Sequence, residues 1–243
     1  MTAYLAPRML DAGEAALTVE FGDSVDSAIN ARVLALDAAL RAAPPPGVLE
    51  TVPTYRSLTI HYEPLILPRA ALAARVTELA ANGGAATPVS GAVWTLPCCY
   101  APPLAEDIIE AASVLGLSAQ DVAQRHAQTT FRAYMYGFAP GWCYLGGLPE
   151  SLATPRRASP RGPTPPGAVL IGGGLSLIGA DPMPTGWYVL GRTPERLFSA
   201  GRPQNFLIEP GDTVRFAPID PDAFAALEAR VAAGEIVARR EAP

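Results

Sequence analysis

The chain has 243 residues, 49% hydrophobic and 17% charged, a composition that buries well and lies far from the disordered range. Its net charge of −5 and pI near 5.1 supply no basic footprint for nucleic acid or an anionic membrane surface. All 18 basic residues are arginine, so this chain offers no Schiff-base lysine, no P-loop lysine and no kinase strand lysine.

At about 100–200 residues per domain, two small domains are expected. Ala15 to Phe21 alternates as a strand, and Asp26 caps a helix striped by Ile29, Val33, Leu36 and Leu40. That helix stops at Pro44-Pro-Pro-Gly47, after which Val48 to Val52 and Ser57 to Tyr62 read as a hairpin or close strand pair. Pro68 stands at a first helical position, and Leu72, Val76 and Leu79 stripe a second helix ending at Asn82-Gly-Gly84. Strand, helix, strand, strand, helix predicts a small α+β domain with an antiparallel sheet over residues 1–84. Small and polar residues between Asn82 and Gly91 predict a linker at about 85–91.

A second domain is expected over residues 92–243. Val93 to Leu96 reads as a strand and Leu104 to Leu115 as a helix. Ser118 and Asp121 form a capping box, stapled by Leu117 and Val122, for a helix ending near His126. Short β-type runs follow at Phe131 to Met135, Ala168 to Ile171, Trp187 to Leu190, Phe206 to Ile208 and Thr213 to Phe216. Such runs between Gly and Pro turns predict a barrel or sandwich. Pro221 to Ala238 closes the chain as a helix whose stripe of Phe224, Leu227 and Val231 is assigned to the core.

Three cysteines, two of them the adjacent Cys98 and Cys99, predict neither a disulfide framework nor a metal site, and Cys143 reads as a packed thiol. No export signal and no long apolar run is read, which makes the cytoplasm the expected compartment. Gly172-Gly-Gly174 lacks the spacing of a phosphate loop and leads into strand-like residues, and Ser176 lies outside any GxSxG elbow. His61 belongs to a strand surface, whereas His126 is retained as a candidate proton-transfer residue. The Gly- and Pro-dense stretch Tyr136 to Pro149, then Pro155-Arg156, Pro160-Arg161 and Gly191-Arg192, fixes Tyr144 and three guanidinium groups on rigid turns. Arg156, Arg161 and Arg192 are expected to converge on one hollow that captures a carboxylate or phosphate.

The pieces Gly13 to Gly22, Pro53 to Leu58, Tyr134 to Phe138 with Pro140-Gly141, Tyr144 to Leu148, Pro155-Arg156, Pro160-Arg161, and Gly186-Trp187 with Gly191 to Pro194 carry a resemblance. Over nearly its whole length the chain resembles the family of the B-type subunit of 5-oxoprolinase, allophanate hydrolase subunit 1 and the sporulation kinase inhibitor KipI. The resemblance implies an α+β fold, with a small N-terminal α+β domain followed by a cyclophilin-like β-barrel. It implies a subunit of an ATP-dependent hydrolase that opens 5-oxoproline to glutamate, inactive alone and working with a homologous second subunit and possibly a third. ATP would be bound by the complex rather than by this chain. Arg192 or Arg156 would hold the substrate carboxylate, with Tyr144 and Arg161 beside it; the amides around Gly146 and Gly147 would face a developing oxyanion, and His126 would relay a proton. Leu175 to Ala180 stands where the family often carries Gln-Thr-Gly-Ile-Tyr-Pro, and Pro184-Thr-Gly186 replaces Pro-Gly-Gly, which leaves the substrate open. Two alternatives accompany this reading: a subunit of a urea carboxylase or allophanate-type carboxyltransferase assembly, and an inhibitor of a sensor histidine kinase. Arginine convergence on a concave mouth favours the enzymes; an exposed apolar docking patch favours the inhibitor.

Overall fold

The computed structural model describes residues 3–82 and 91–241, so all of the expected linker but Gly91 lies outside the described residues. Two units are distinguished, residues 1–89 and 90–243.

In the first unit the elements are β1 (Ala3–Asp11), β2 (Ala16–Gly22), α1 (Ser27–Ala42), β3 (Val48–Pro53), β4 (Ser57–Tyr62) and α2 (Arg69–Asn82). The strands form an antiparallel sheet in the order β1-β2-β4-β3. Alternation buries Leu17, Val19 and Phe21 of β2 with Leu58 and Ile60 of β4, and these pack with Ile29, Val33, Leu36 and Leu40 of α1 and Leu72 and Val76 of α2. The Asp26 carboxylate accepts from the amides of Ala28 and Ile29 at 2.8 and 3.0 Å, fixing where α1 begins. Strand β1 is absent from the sequence expectation: it is a sheet edge with a mostly exposed pattern, and its Leu5 is fully exposed. No buried alternation marks it.

The second unit contains β5 (Val93–Cys99), α3 (Ile108–Leu115), α4 (Ala119–Gln128), β6 (Phe131–Tyr136), β7 (Cys143–Gly146), β8 (Ala168–Gly172), β9 (Leu175–Gly179), β10 (Tyr188–Arg192), β11 (Thr213–Ile219), α5 (Pro221–Ala232) and β12 (Arg239–Glu241). Strands run in the order β10-β8-β9-β7-β6-β11-β5, and the pairing of Arg192 with Cys99 closes them into a seven-strand barrel, with β12 added to β5. The expected α+β class with a C-terminal barrel is what the chain adopts. Leu96, Phe131, Leu145, Val169, Ile178, Val214 and Phe216 belong to the barrel core. The capping box forms, with the Asp121 amide donating to Ser118 Oγ at 3.0 Å.

Several boundaries differ from expectation. Helix α3 starts at Ile108, because the backbone from Ala101 to Ala105 is in turns, with the Leu104 and Ala105 amides both donating to the Ala101 carbonyl. Helix α5 ends at Ala232, and Phe206 to Ile208 supplies one bridge, Phe198 to Phe206, instead of a strand. Gly173 and Gly174, at φ of 60° and 75°, make the β8–β9 hairpin turn, a geometry that favours glycine at both positions.

Candidate functional site

Alternation along the barrel strands sorts side chains onto two faces. Cys143, Leu145, Val169 and Ile178 belong to the barrel core, whereas Ala168, Leu170, Leu177 and Val189 form a separate cluster with Trp142 and Trp187, against which Tyr144 packs. Three of the family-like pieces, those carrying Tyr144, Arg156 and Trp187, meet on this second face. The rings of Tyr144 and Trp187 meet edge to face at 6.1 Å, and the Arg156 guanidinium lies over the Trp187 ring at 5.5 Å. A Cβ on Gly146 would overlap the Tyr134 ring, and one on Gly173 would come within 3.6 Å of Arg156 Nε. Gly146 is therefore glycine so that Tyr134 can lie across β7. Gly147 turns the chain at φ 99°.

Arg156 is exposed and makes no ion pair or hydrogen bond among the described residues. Its neighbours explain its placement. The Arg157 amide donates to the Gly186 carbonyl at 2.7 Å and the Arg161 amide to that of Thr185 at 2.8 Å, laying the segment from 155 to 161 along the approach to β10. Their side chains reach the start of α3: Arg157 pairs with Glu110 at 2.7 Å, and Arg161 pairs with Glu106 and Asp107. Asp107 also accepts from the Val189 amide at 2.9 Å. Arg156 is thus the one member of this clamped segment left to face Tyr144. Burial raises the Tyr144 phenol pKa, against an opposing pull from the Arg156 charge.

The expected convergence of three arginines does not occur. Arg161 is committed to the acidic start of α3. Arg192 ends β10 while Arg156 lies beside Trp187 just before that strand, so roughly 17 Å of strand separates them. The Arg192 Nε donates to the Pro166 carbonyl at 3.1 Å and its Nη2 reaches Glu228 at 3.4 Å. Proline- and glycine-flanked turns made these residues look alike in sequence; their partners, Glu106 and Asp107 just before α3 for Arg161 and the Pro166 carbonyl for Arg192, lie far along the chain, and the spacing did not reveal them.

His126, expected to relay a proton, is instead a core residue with no exposed surface. Its Nδ1 bonds the Tyr100 hydroxyl at 2.8 Å, its Nε2 bonds Ser176 Oγ at 3.2 Å, and its ring lies 4.9 and 5.0 Å from those of Phe131 and Phe216. Burial lowers its pKa to about 3, which keeps the imidazole neutral. Cys98, Cys99 and Cys143 are buried free thiols, and burial pushes the Cys143 pKa up to about 12, away from nucleophilic use. Among the described residues no cluster of three His, Cys, Asp or Glu could hold a metal, and no helix is long and apolar enough to cross a membrane. The triple glycine is a hairpin between β8 and β9 and not a helix N-terminus, so it does not form a phosphate loop.

Sequence reasoning missed three contributors. Trp187 and Tyr134 stand within the family-like motifs, yet no spacing rule gives either ring a role. Phe138, 66% exposed, has a left-handed backbone at φ 71° and stacks edge-on to Trp142 at 5.2 Å. Its signal was present as an aromatic residue inside a Gly-x-Ala-Pro turn.

Residues 7–208 match the family of the carboxyltransferase domain, subdomains C and D. The chain is 31% identical over 217 residues to the 5-oxoprolinase B-type subunit of Bacillus subtilis, covering 85% of this chain and 90% of that one. Against the 5-oxoprolinase B-type subunit of Escherichia coli O157:H7 the identity is 34% over 209 residues, covering 85% and 93%. The crystal structure of TTHA0988 is similar at 35% identity and a TM-score of 0.75 over 84% of this chain, which spans 40% of the length of that longer one. Kluyveromyces lactis urea carboxylase shares the fold, at 17% identity and a TM-score of 0.78, over 99% of this chain and 25% of its own.

Proposed function

The chain belongs to the carboxyltransferase subdomain C and D family, the family of the 5-oxoprolinase B-type subunit and allophanate hydrolase subunit 1, and from that premise we propose that it is a subunit of an ATP-dependent hydrolase opening 5-oxoproline to glutamate. One observation supports a substrate role for this chain: Arg156 is an exposed guanidinium without a carboxylate partner among the described residues, held over Trp187 beside Tyr144. A cation–π contact with a ring leaves the N–H donors of a guanidinium available for a bidentate carboxylate. 5-Oxoproline carries one carboxylate and a stable lactam, and opening the lactam requires activation of its carbonyl. This chain's part is to orient the substrate through Arg156 and Tyr144. Nucleotide chemistry belongs to partner subunits, a homologous second subunit first among them.

The test is 5-oxoproline-dependent ATP hydrolysis by the reconstituted complex. Arg156→Ala should raise KM for 5-oxoproline about tenfold or more, consistent with loss of a charge-assisted pair. An unchanged KM would remove the carboxylate role, and full activity of the chain alone would remove the partner.

Phe138 favours a second reading, a docking module of the sensor kinase inhibitor type, since an exposed ring on strained backbone suits an interface anchor. Inhibition of a sensor histidine kinase that Phe138→Ala abolishes, in a chain whose complex shows no 5-oxoproline-dependent turnover, would select it.

A further inference from the structure

A cleft of about 530 Å³ opens between the β9–β10 side of the barrel and α5, within the size range of small-molecule sites. Ile178, Leu197 and Val231 give it apolar walls, and Arg192, Arg196, Asp181 and Glu228 give it charge of both signs. Glu195 also lines it but is already satisfied. Its Oε2 accepts from the amides of Val237 and Ala238 at 2.7 and 2.8 Å and its Oε1 from that of Arg196 at 3.0 Å, which fixes the segment following α5.

Arg192 is held in place yet only partly used. Its Nε bond to Pro166 and its position 5.1 Å over the Phe224 ring restrain the guanidinium. Its Nη2 contact with Glu228 is long, at 3.4 Å, and Glu228 is 54% exposed, so this pair is weak and readily exchanged. Nη1 has no partner among the described residues, and the same holds for the exposed guanidinium of Arg196.

We propose that this cleft binds a small zwitterion of the α-amino acid class. Arg192 receives the carboxylate, displacing Glu228. Glu228, together with Asp181, then receives the ammonium group, and the side chain rests on the apolar walls. The charge pattern selects among ligand types. A dianion would meet two carboxylates, a simple cation would meet two guanidinium groups, and an apolar ligand would desolvate all four charges without pairing any. Only a ligand carrying both signs pairs each. Because Arg192 is restrained before binding, little ordering is needed on capture. The site lies at the end of β10 opposite Arg156, and it goes beyond the substrate role proposed for that face.

Isothermal titration calorimetry on the full chain tests it, with L-leucine, L-phenylalanine and L-glutamate as probes. Two analogues each lack one charge of leucine, 4-methylpentanoate and 3-methylbutylamine. At least one amino acid should bind, with the matched analogues about tenfold weaker or worse. Arg192→Ala should abolish the heat. Glu228→Gln, at an exposed helix position where folding is not at risk, should weaken the amino acid and strengthen 4-methylpentanoate. Absence of binding by all three amino acids at about 10 mM, equal affinity for leucine and 4-methylpentanoate, or binding that Glu228→Gln leaves unchanged would each overturn the proposal.

Discussion

His126 shows how much a single side chain's meaning depends on what surrounds it. A histidine on a short polar helix invites a proton-transfer reading, yet here the imidazole closes against the barrel core between two phenylalanines and is bonded at both nitrogens. Its consequence is pH-dependent stability. An unfolded chain protonates this ring near its ordinary value of 6.5, whereas the folded chain resists until about pH 3. The contribution is therefore complete above about pH 6.5 and is lost as pH falls toward 3, with a slope approaching about 1.4 kcal/mol per pH unit inside that window. Urea unfolding between pH 4 and 7 (roughly the range where the slope acts) should show a shallower pH dependence for His126→Leu than for the parent. Parallel curves would mean that the ring protonates in the fold as easily as in water.

At the scale of elements, the segment from 155 to 161 is fastened as a unit to the start of α3, and the two ends of the fastening differ in strength. Asp107 has a side chain 12% exposed and serves Arg161, Arg157 at 3.7 Å and the Val189 amide, so its loss removes an acceptor from a backbone donor and a carboxylate from two guanidinium groups. Glu110 is 50% exposed and pairs with Arg157 alone. Asp107→Ala should cost about 2–3 kcal/mol and Glu110→Ala under about 1 kcal/mol by chemical denaturation. A Glu110→Ala loss equal to that of Asp107→Ala would contradict this ranking. None of this clamp was legible in the sequence, because charge partners fifty residues apart leave no periodic trace. What was legible had a local cause: the Asp26 and Ser118 caps, the α1 stripe and the β4 alternation each follow from spacing within one element. Strands β1 and β12, mostly exposed edges with no buried alternation, have no such signature. Strand β7 is hidden for a different reason, since its four residues lie inside a run of glycines that reads as loop.

For the whole molecule, the family resemblance carried what local pattern could not. Short strands with Gly and Pro turns allowed either a barrel or a sandwich, and closure depends on one long-range pairing, Arg192 with Cys99, that no spacing rule predicts. Once closed, the barrel has its own core. Every buried residue of the N-terminal cluster lies between Leu17 and Val76, and the three clusters of the second unit draw on residues from Ala92 onward. Apolar cores that share no residue mark units able to fold independently. Residues 90–243 expressed alone should therefore give a single cooperative thermal transition with native near-ultraviolet circular dichroism, because barrel closure, the Asp107 clamp and the Glu195 anchor are all internal to that span. If that fragment instead shows a broad, probe-dependent transition with no near-ultraviolet signal, the barrel depends on the first unit for its packing, and two independent cores are the wrong description.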